Sequence, residues 1–357
     1  MFKLAQKYDS RYTPEAQQKA VKLFQEVLSL DPKGEKGTTD YGEDKVTYTE
    51  YAEYSLAEAA MFGRGGLPES RDPGPMKAFI QKYPQSKMLR GAYSSLSSYY
   101  QFSGSKEEAQ AFFEEYVAKY PDDALVLNSY ITRIIRDKEP LDRGLELAKK
   151  VNELTKYNPL PRFRRSEAQL YALKGDWEKA DEIYGQRFME SRKNNLAFDL
   201  IDYARFWVEQ NRNLESAEAM TDLALRLDPE TSYIRYSAAG ILVRLKKEDK
   251  ALAVFGPDYI KAKLNDSSAL ATYASFWAGQ DKNLESALEA AQKLVDLSPL
   301  ASRSWMILGS VYRSLKNFPE ALKAFEKALQ LAKQDWEKQN LQKLIESLQK
   351  QIKEPAK

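Results

Sequence analysis

Residues 203–207, Tyr-Ala-Arg-Phe-Trp, return as Tyr-Ala-Ser-Phe-Trp at 273–277. The segment Asn213-Leu214-Glu215-Ser216-Ala217 returns as Asn283-Leu284-Glu285-Ser286-Ala287, and both offsets are 70 residues. A chain that repeats itself at such a distance is built from small supersecondary units. Each has too little apolar surface to close a core alone, so it must stack on its neighbours. Half the offset, about 35 residues, is the length of two helices and their turns.

One small residue keeps this shorter step: Ala20, Ala109, Gly144, Ala180, Ala217, Ala251, Ala287 and Ala321. From Ala109 the intervals are 35, 36, 37, 34, 36 and 34 residues. Two helices of a hairpin cross closely only where a small side chain stands between them. A larger knob follows in several copies, as Phe24, Phe113, Tyr184, Phe255 and Phe325. Pro32, Pro121, Pro229 and Pro299 stand where the second helix has to stop.

The last copy carries Trp305, Leu308, Gly309, Tyr312, Ala321, Phe325 and Ala328. Numbered from Ser302, these resemble the tetratricopeptide repeat signature at seven of its eight usual positions, and Lys333 replaces the proline of the eighth. The resemblance implies an all-α, right-handed superhelical solenoid of about nine hairpins over residues 1–334. The second hairpin, 45–84, is irregular, with helices expected over 45–62 and 76–83. Two glycine-rich stretches, 33–44 and 63–75, read as loops, and either is a candidate to fill the groove of the solenoid. Leu341, Leu344, Ile345, Leu348 and Ile352 form one apolar stripe, so 335–357 reads as a C-terminal capping helix and tail.

The chain has no cysteine and no histidine. That excludes thiolate nucleophiles, Cys/His zinc sites, iron–sulfur clusters and imidazole bases. Lys plus Arg is 54 against 52 for Asp plus Glu, a net charge of +2, too balanced for a nucleic-acid binder. No apolar run is long enough to span a bilayer, and no apolar leader opens the chain. Gly34-Glu35-Lys36-Gly37 has neither the Gly-Lys pair nor the strand of a phosphate loop. Neighbouring carboxylates such as Glu114 and Glu115 point about 100° apart on a helix and make poor acid/base pairs. No catalytic residue, metal site or cofactor is expected.

In tetratricopeptide repeats, positions 2, 5, 9, 12 and 13 of each first helix commonly face a concave groove. Counting back from the small-residue markers, the resemblance places Ser94, Ser98 and Gln101 there, then Ser129, Arg133 and Arg136. It also places Arg162, Arg165, Asp202, Phe206, Tyr236, Thr272, Phe276 and Arg313. Arginine clusters suit carboxylates, and exposed aromatics suit apolar side chains. The expected function is a non-enzymatic scaffold that binds a protein or peptide partner in this groove. One alternative is an envelope-assembly subunit using the convex face, the loops or the last helix. Another is an enzyme acting through carboxylates and tyrosines. The helix ends Lys82-Tyr83-Pro84 and Lys119-Tyr120-Pro121 resemble those of bacterial envelope repeat proteins, which points to the periplasm or cell envelope, with the cytoplasm as the alternative.

Overall fold

Side-chain oxygens open the helices where short polar residues stand before an apolar run. Thr13, Thr47, Ser105, Asp123, Asp266 and Asn317 each accept a backbone N–H of the following first turn. Such caps satisfy amides that have no partner within the helix. The computed structural model describes residues 1–11, 13–63, 72–156, 160–191 and 196–353. They divide into two units, Met1–Tyr184 and Gly185–Lys357.

Unit 1 opens with the hairpin α1 (Phe2–Asp9) and α2 (Pro14–Leu30). Two strands follow, β1 (Thr38–Tyr41) and β2 (Asp44–Thr47). Then come α3 (Tyr48–Met61) with α4 (Gly74–Lys82), and α5 (Leu89–Phe102) with α6 (Lys106–Lys119). The unit ends with α7 (Ala124–Asp137) and α8 (Leu141–Leu154), then α9 (Pro161–Leu173) and α10 (Trp177–Tyr184).

Unit 2 begins with a short α11 (Gln186–Ser191), then α12 (Ala197–Glu209) pairs with α13 (Leu214–Leu227). α14 (Ser232–Arg244) pairs with α15 (Glu248–Phe255), and a short α16 (Pro257–Lys261) follows Gly256. α17 (Ser267–Gln280) pairs with α18 (Leu284–Leu297), and α19 (Ser302–Ser314) with α20 (Phe318–Leu331). α21 (Asp335–Lys353) packs on α20. The expected nine hairpins are therefore present among the described residues, in an all-α repeat fold.

The small residues sit where the helices cross. Ala20, Ala109, Ala180, Ala217, Ala251, Ala287 and Ala321 are buried, as is Gly144. Gly309 shows the constraint most sharply, because a Cβ there would come within 2.7 Å of the Phe325 ring. Leu341, Ile345 and Leu348 of α21 are buried against Phe325, Ala328 and Ala332.

The stretch 33–44 is not a plain loop. Thr38–Tyr41 pairs antiparallel with Asp44–Thr47, Tyr41 facing Asp44 across the two-residue turn of Gly42 and Glu43. Gly42 takes φ +63°, a conformation open to glycine. Val46 is buried in the core of unit 1, and the Thr47 hydroxyl caps α3. The helix expected from residue 45 therefore starts at Tyr48, the three residues before it being committed to β2 and the cap. Of the loop 63–75, residues 64–71 lie outside the described residues.

The repeat has a second, longer period. In the hairpins of α5, α9, α14 and α19, twelve residues separate the buried small residue of the first helix from the marker of the second. These pairs are Ser97 and Ala109, Ala168 and Ala180, Ala239 and Ala251, Gly309 and Ala321. In the α12 and α17 hairpins the distance is thirteen, from Ala204 to Ala217 and from Ala274 to Ala287. The added residue lies in the turn, where two residues are left-handed (Asn211 and Asn213, Asp281 and Asn283) instead of one (Lys246, Lys316). The turn after α7 has one left-handed residue, Lys138, but it stands six residues before Gly144, as Asn211 stands before Ala217 and Asp281 before Ala287, where Gly104, Gly175, Lys246 and Lys316 stand five before their markers, so this hairpin belongs with the longer class. Long and short hairpins alternate from α5 to α20. The true unit is two hairpins.

The 70-residue likeness is reproduced in three dimensions. Phe206 meets Trp207 edge to face at 4.9 Å and 76°, and Phe276 meets Trp277 at 4.8 Å and 76°. The Tyr203 hydroxyl lies 2.7 Å from Ser216 Oγ, and that of Tyr273 lies 2.9 Å from Ser286 Oγ.

Tyrosines packed in unit 1 make alkali a probe of its core. Burial, then the charge of Asp123, pushes the Tyr116 hydroxyl up to about 12. Burial and the carboxylates Glu115 and Glu114 raise Tyr93 and Tyr130 as well. The unfolded chain ionises these groups near their ordinary 10.0 and so loses protons first. Their contribution to stability is whole below pH of about 10 and is lost as pH climbs toward the folded-state values. Phenolate absorbance should therefore rise together with loss of helical circular dichroism. Ionisation of these tyrosines with full helix content would contradict the packing.

Candidate binding cleft on unit 2

The first helices of three successive hairpins, α12, α14 and α17, line a cleft of about 270 Å³. α12 contributes Arg205, Val208 and Glu209, α14 Tyr233, Tyr236, Ser237, Gly240 and Arg244, and α17 Phe276 and Gln280. Gly240 leaves room in the wall, since even a Cβ there would approach only Phe276, at 3.7 Å.

Aromatic rings form the apolar part. Tyr236 meets Phe276 edge to face at 5.3 Å, and Tyr233 stacks on Phe198 at 5.4 Å and 21°. Phe198, Tyr233 and Tyr236 keep 49%, 43% and 38% of their surface exposed, although each packs against another ring.

Charge lies beside them. The Arg205 guanidinium sits 6.0 Å over the Tyr233 ring and donates to Tyr233 Oη at 3.2 Å and Ser237 Oγ at 3.1 Å. Asp202 approaches it at 3.9 Å. Partial burial works against its charge. The Tyr233 hydroxyl and the carboxylates Asp202 and Glu209 outweigh that, and its pKa is held above the usual guanidinium value. Arg244 lies 3.5 Å from Glu209 at the exposed margin. The cleft thus offers two cations with nearby carboxylates, flat apolar faces, and no acid/base pair.

The residues expected from the sequence divide. Tyr236 and Phe276 are brought together here, but Phe276 is a nearly closed wall, and Phe206 is buried in the core. Arg133 is also buried. Its guanidinium donates to the carbonyls of Tyr100 at 2.6 Å and Ser103 at 2.7 Å, and to Asp137 Oδ2 at 2.5 Å. It therefore holds the end of α5 and the turn after it, and offers nothing to a groove.

Arg133, Phe206 and Phe276 are buried rather than open to a groove for one reason. All three lie in the longer hairpins, where counting back through the added residue misses by one position, about 100° around the helix. The position one residue earlier holds Thr132, Arg205 and Ser275, and Arg205 is the cleft residue that the count passed over. The signal for it was present in Ala204 and Ala274, the second small residues of the duplicated segment.

Ser94, Ser98, Arg136 and Arg162 are exposed on unit 1, and Gln101, Ser129 and Arg165 are half-buried. Arg136 donates to the Gln101 carbonyl at 3.0 Å, so these two are neighbours. Arg162 covers the Phe163 ring at 5.1 Å. The hydroxyls of Ser98, Ser129 and Thr272 donate to carbonyls four residues earlier in their own helices. On unit 2, Arg313 is exposed and Asp202 is half-buried near Arg205. At Gly34–Gly37, the amides of Glu35 and Lys36 already donate to the Asp31 carboxylate at 2.8 and 3.1 Å, which fills the place an anion would take.

Family patterns described as tetratricopeptide repeat match residues 97–123 in unit 1 and 278–335 in unit 2. Among curated proteins, the chain is similar to the antiviral innate immune response effector IFIT1 of Homo sapiens, 22% identical over 335 residues. It is also similar to IFIT1 of Macaca fascicularis, 25% identical over 253 residues. These alignments cover 88% and 65% of this chain but 65% and 50% of the relatives, so the chain spans between half and two thirds of their length. Among solved structures, yeast Tom70 matches with a TM-score of 0.51 at 16% identity, covering 95% of this chain and 60% of Tom70. The likeness to Tom70 is one of fold. Tetratricopeptide repeats are thus matched in both units of this all-α repeat chain, whose hairpins cross at small residues.

Proposed function

We propose that the chain is a non-catalytic interaction scaffold and that a protein or peptide segment binds across the cleft of unit 2. The observation that carries this reading is the exposed aromatic set Phe198, Tyr233 and Tyr236 beside Arg205. Tyrosine and arginine at the centre of a recessed patch supply most of the affinity in many interfaces. The favoured ligand is an extended or helical segment that presents a carboxylate to Arg205 and an apolar side chain to the rings. The helix α21 acts in the same scheme as the cap of unit 2, its apolar stripe covering α20.

Peptides selected from a random display library against the whole chain test this. Tyr236→Ala and Arg205→Ala should each weaken the selected peptides by about 2 kcal/mol, some thirtyfold. The melting temperature should stay near that of the parent. Selected peptides that bind both variants undiminished would refute the assignment.

A further inference from the structure

Unit 1 contains a second cavity, of about 360 Å³, outside the cleft just described. It lies among α4, α5 and α6, where α4 is 9 residues long against 14 for α6 and covers only part of their surface. Its floor is aromatic. The Phe112 ring stacks on Tyr100 at 4.8 Å and 25°, and on Tyr93 at 6.1 Å and 24°. Two carboxylates, Glu108 and Glu115, stand on the same side of α6, seven residues apart.

Both carboxylates are oriented by neighbours. Glu115 accepts the Tyr93 hydroxyl, and Glu108 closes the capping box with Ser105. The chain already puts its own cations on these rings. The Lys77 ammonium lies 5.4 Å over Tyr100, and the Lys119 ammonium 5.4 Å over Tyr93. The Lys77 side chain is otherwise exposed. A ring face draws a cation through its quadrupole, and more strongly where water is thinned out.

We propose that this cavity is a site for an organic cation, an ammonium group on a slim apolar stem, and that Lys77 occupies its mouth until such a ligand displaces it. The ammonium would take the place of that of Lys77 over the Tyr100 ring, with Glu115 and Glu108 balancing its charge, and the stem would lie along Phe112. A free amine and a lysine side chain of another polypeptide share this chemistry.

The test uses the full chain with choline as probe and 3,3-dimethyl-1-butanol as its uncharged isostere, read by saturation-transfer NMR. Choline should bind at least about tenfold more tightly than the isostere, the difference a desolvated cation–ring contact gives. Glu115→Gln, whose amide oxygen still accepts from Tyr93, should weaken choline about threefold to tenfold, as loss of one nearby charge does. Lys77→Ala should strengthen it by a similar factor, because the competing cation is gone. Equal binding of the two probes, no binding of choline, or weaker binding by Lys77→Ala would overturn the assignment, provided melting temperatures show each variant folded. A ten-residue peptide with one lysine, set against its norleucine counterpart, separates the two sources. Tighter binding of the lysine peptide than of choline identifies a polypeptide ligand, and the reverse identifies a small amine.

Discussion

Arg133→Ala is expected to destabilise unit 1 by about 3–5 kcal/mol, the cost of breaking a buried, hydrogen-bonded charge pair. The substitution strips donors from the Tyr100 and Ser103 carbonyls and leaves Asp137, itself 16% exposed, without its closest cation. Arg133→Lys should recover only part of the loss, because a single ammonium cannot reach the carbonyls and the carboxylate at once. Arg136→Ala, which removes one exposed contact to the Gln101 carbonyl, should stay within about 0.5 kcal/mol. Urea unfolding followed by circular dichroism distinguishes these cases. A loss below about 1 kcal/mol for Arg133→Ala would place the guanidinium in solvent and contradict the structure.

Trp277→Ala should cost unit 2 a comparable amount, about 3–5 kcal/mol for a large ring removed from a closed core. Trp277 is 1% exposed, and its indole N–H donates to the Phe255 carbonyl at 2.8 Å, so the substitution opens a void and orphans an acceptor. Trp207, 70 residues earlier, has the same burial and the same edge-to-face phenylalanine. Trp207→Ala should match it within about 1 kcal/mol if the two hairpins are energetic copies. Guanidinium unfolding of each single variant measures this, and a difference above about 2 kcal/mol would show that the likeness stops at geometry.

The hairpins were legible because their crossings demand a residue without bulk. Ala217 and Ala287 mark their helices whatever surrounds them, and all eight markers are buried. The strand pair was not read, although Thr38, Thr39, Val46 and Thr47 flank Gly42, a hairpin signal that the glycine content of the stretch concealed. The cleft was legible in part. Tyr236 lies in a shorter hairpin, where counting from the marker is sound. Arg205 lies in a longer one, where turn length decides which side of the helix faces out. Arg133 looked like a surface cation, because a sequence shows a charge but not the carbonyls waiting for it.

The alternation of twelve- and thirteen-residue spacings has a consequence for how such a chain can lengthen. A block of two hairpins, copied whole, brings both turn lengths with it, and the copy meets its neighbour in the same phase as the original. A single hairpin copied alone would set two turns of one kind side by side, and its first helix would then meet a neighbour of its own class in place of the alternate one. Inheritance by pairs keeps each first helix against the class of neighbour it was shaped for, and the 70-residue echo of Tyr-Ala-x-Phe-Trp is the mark such copying would leave.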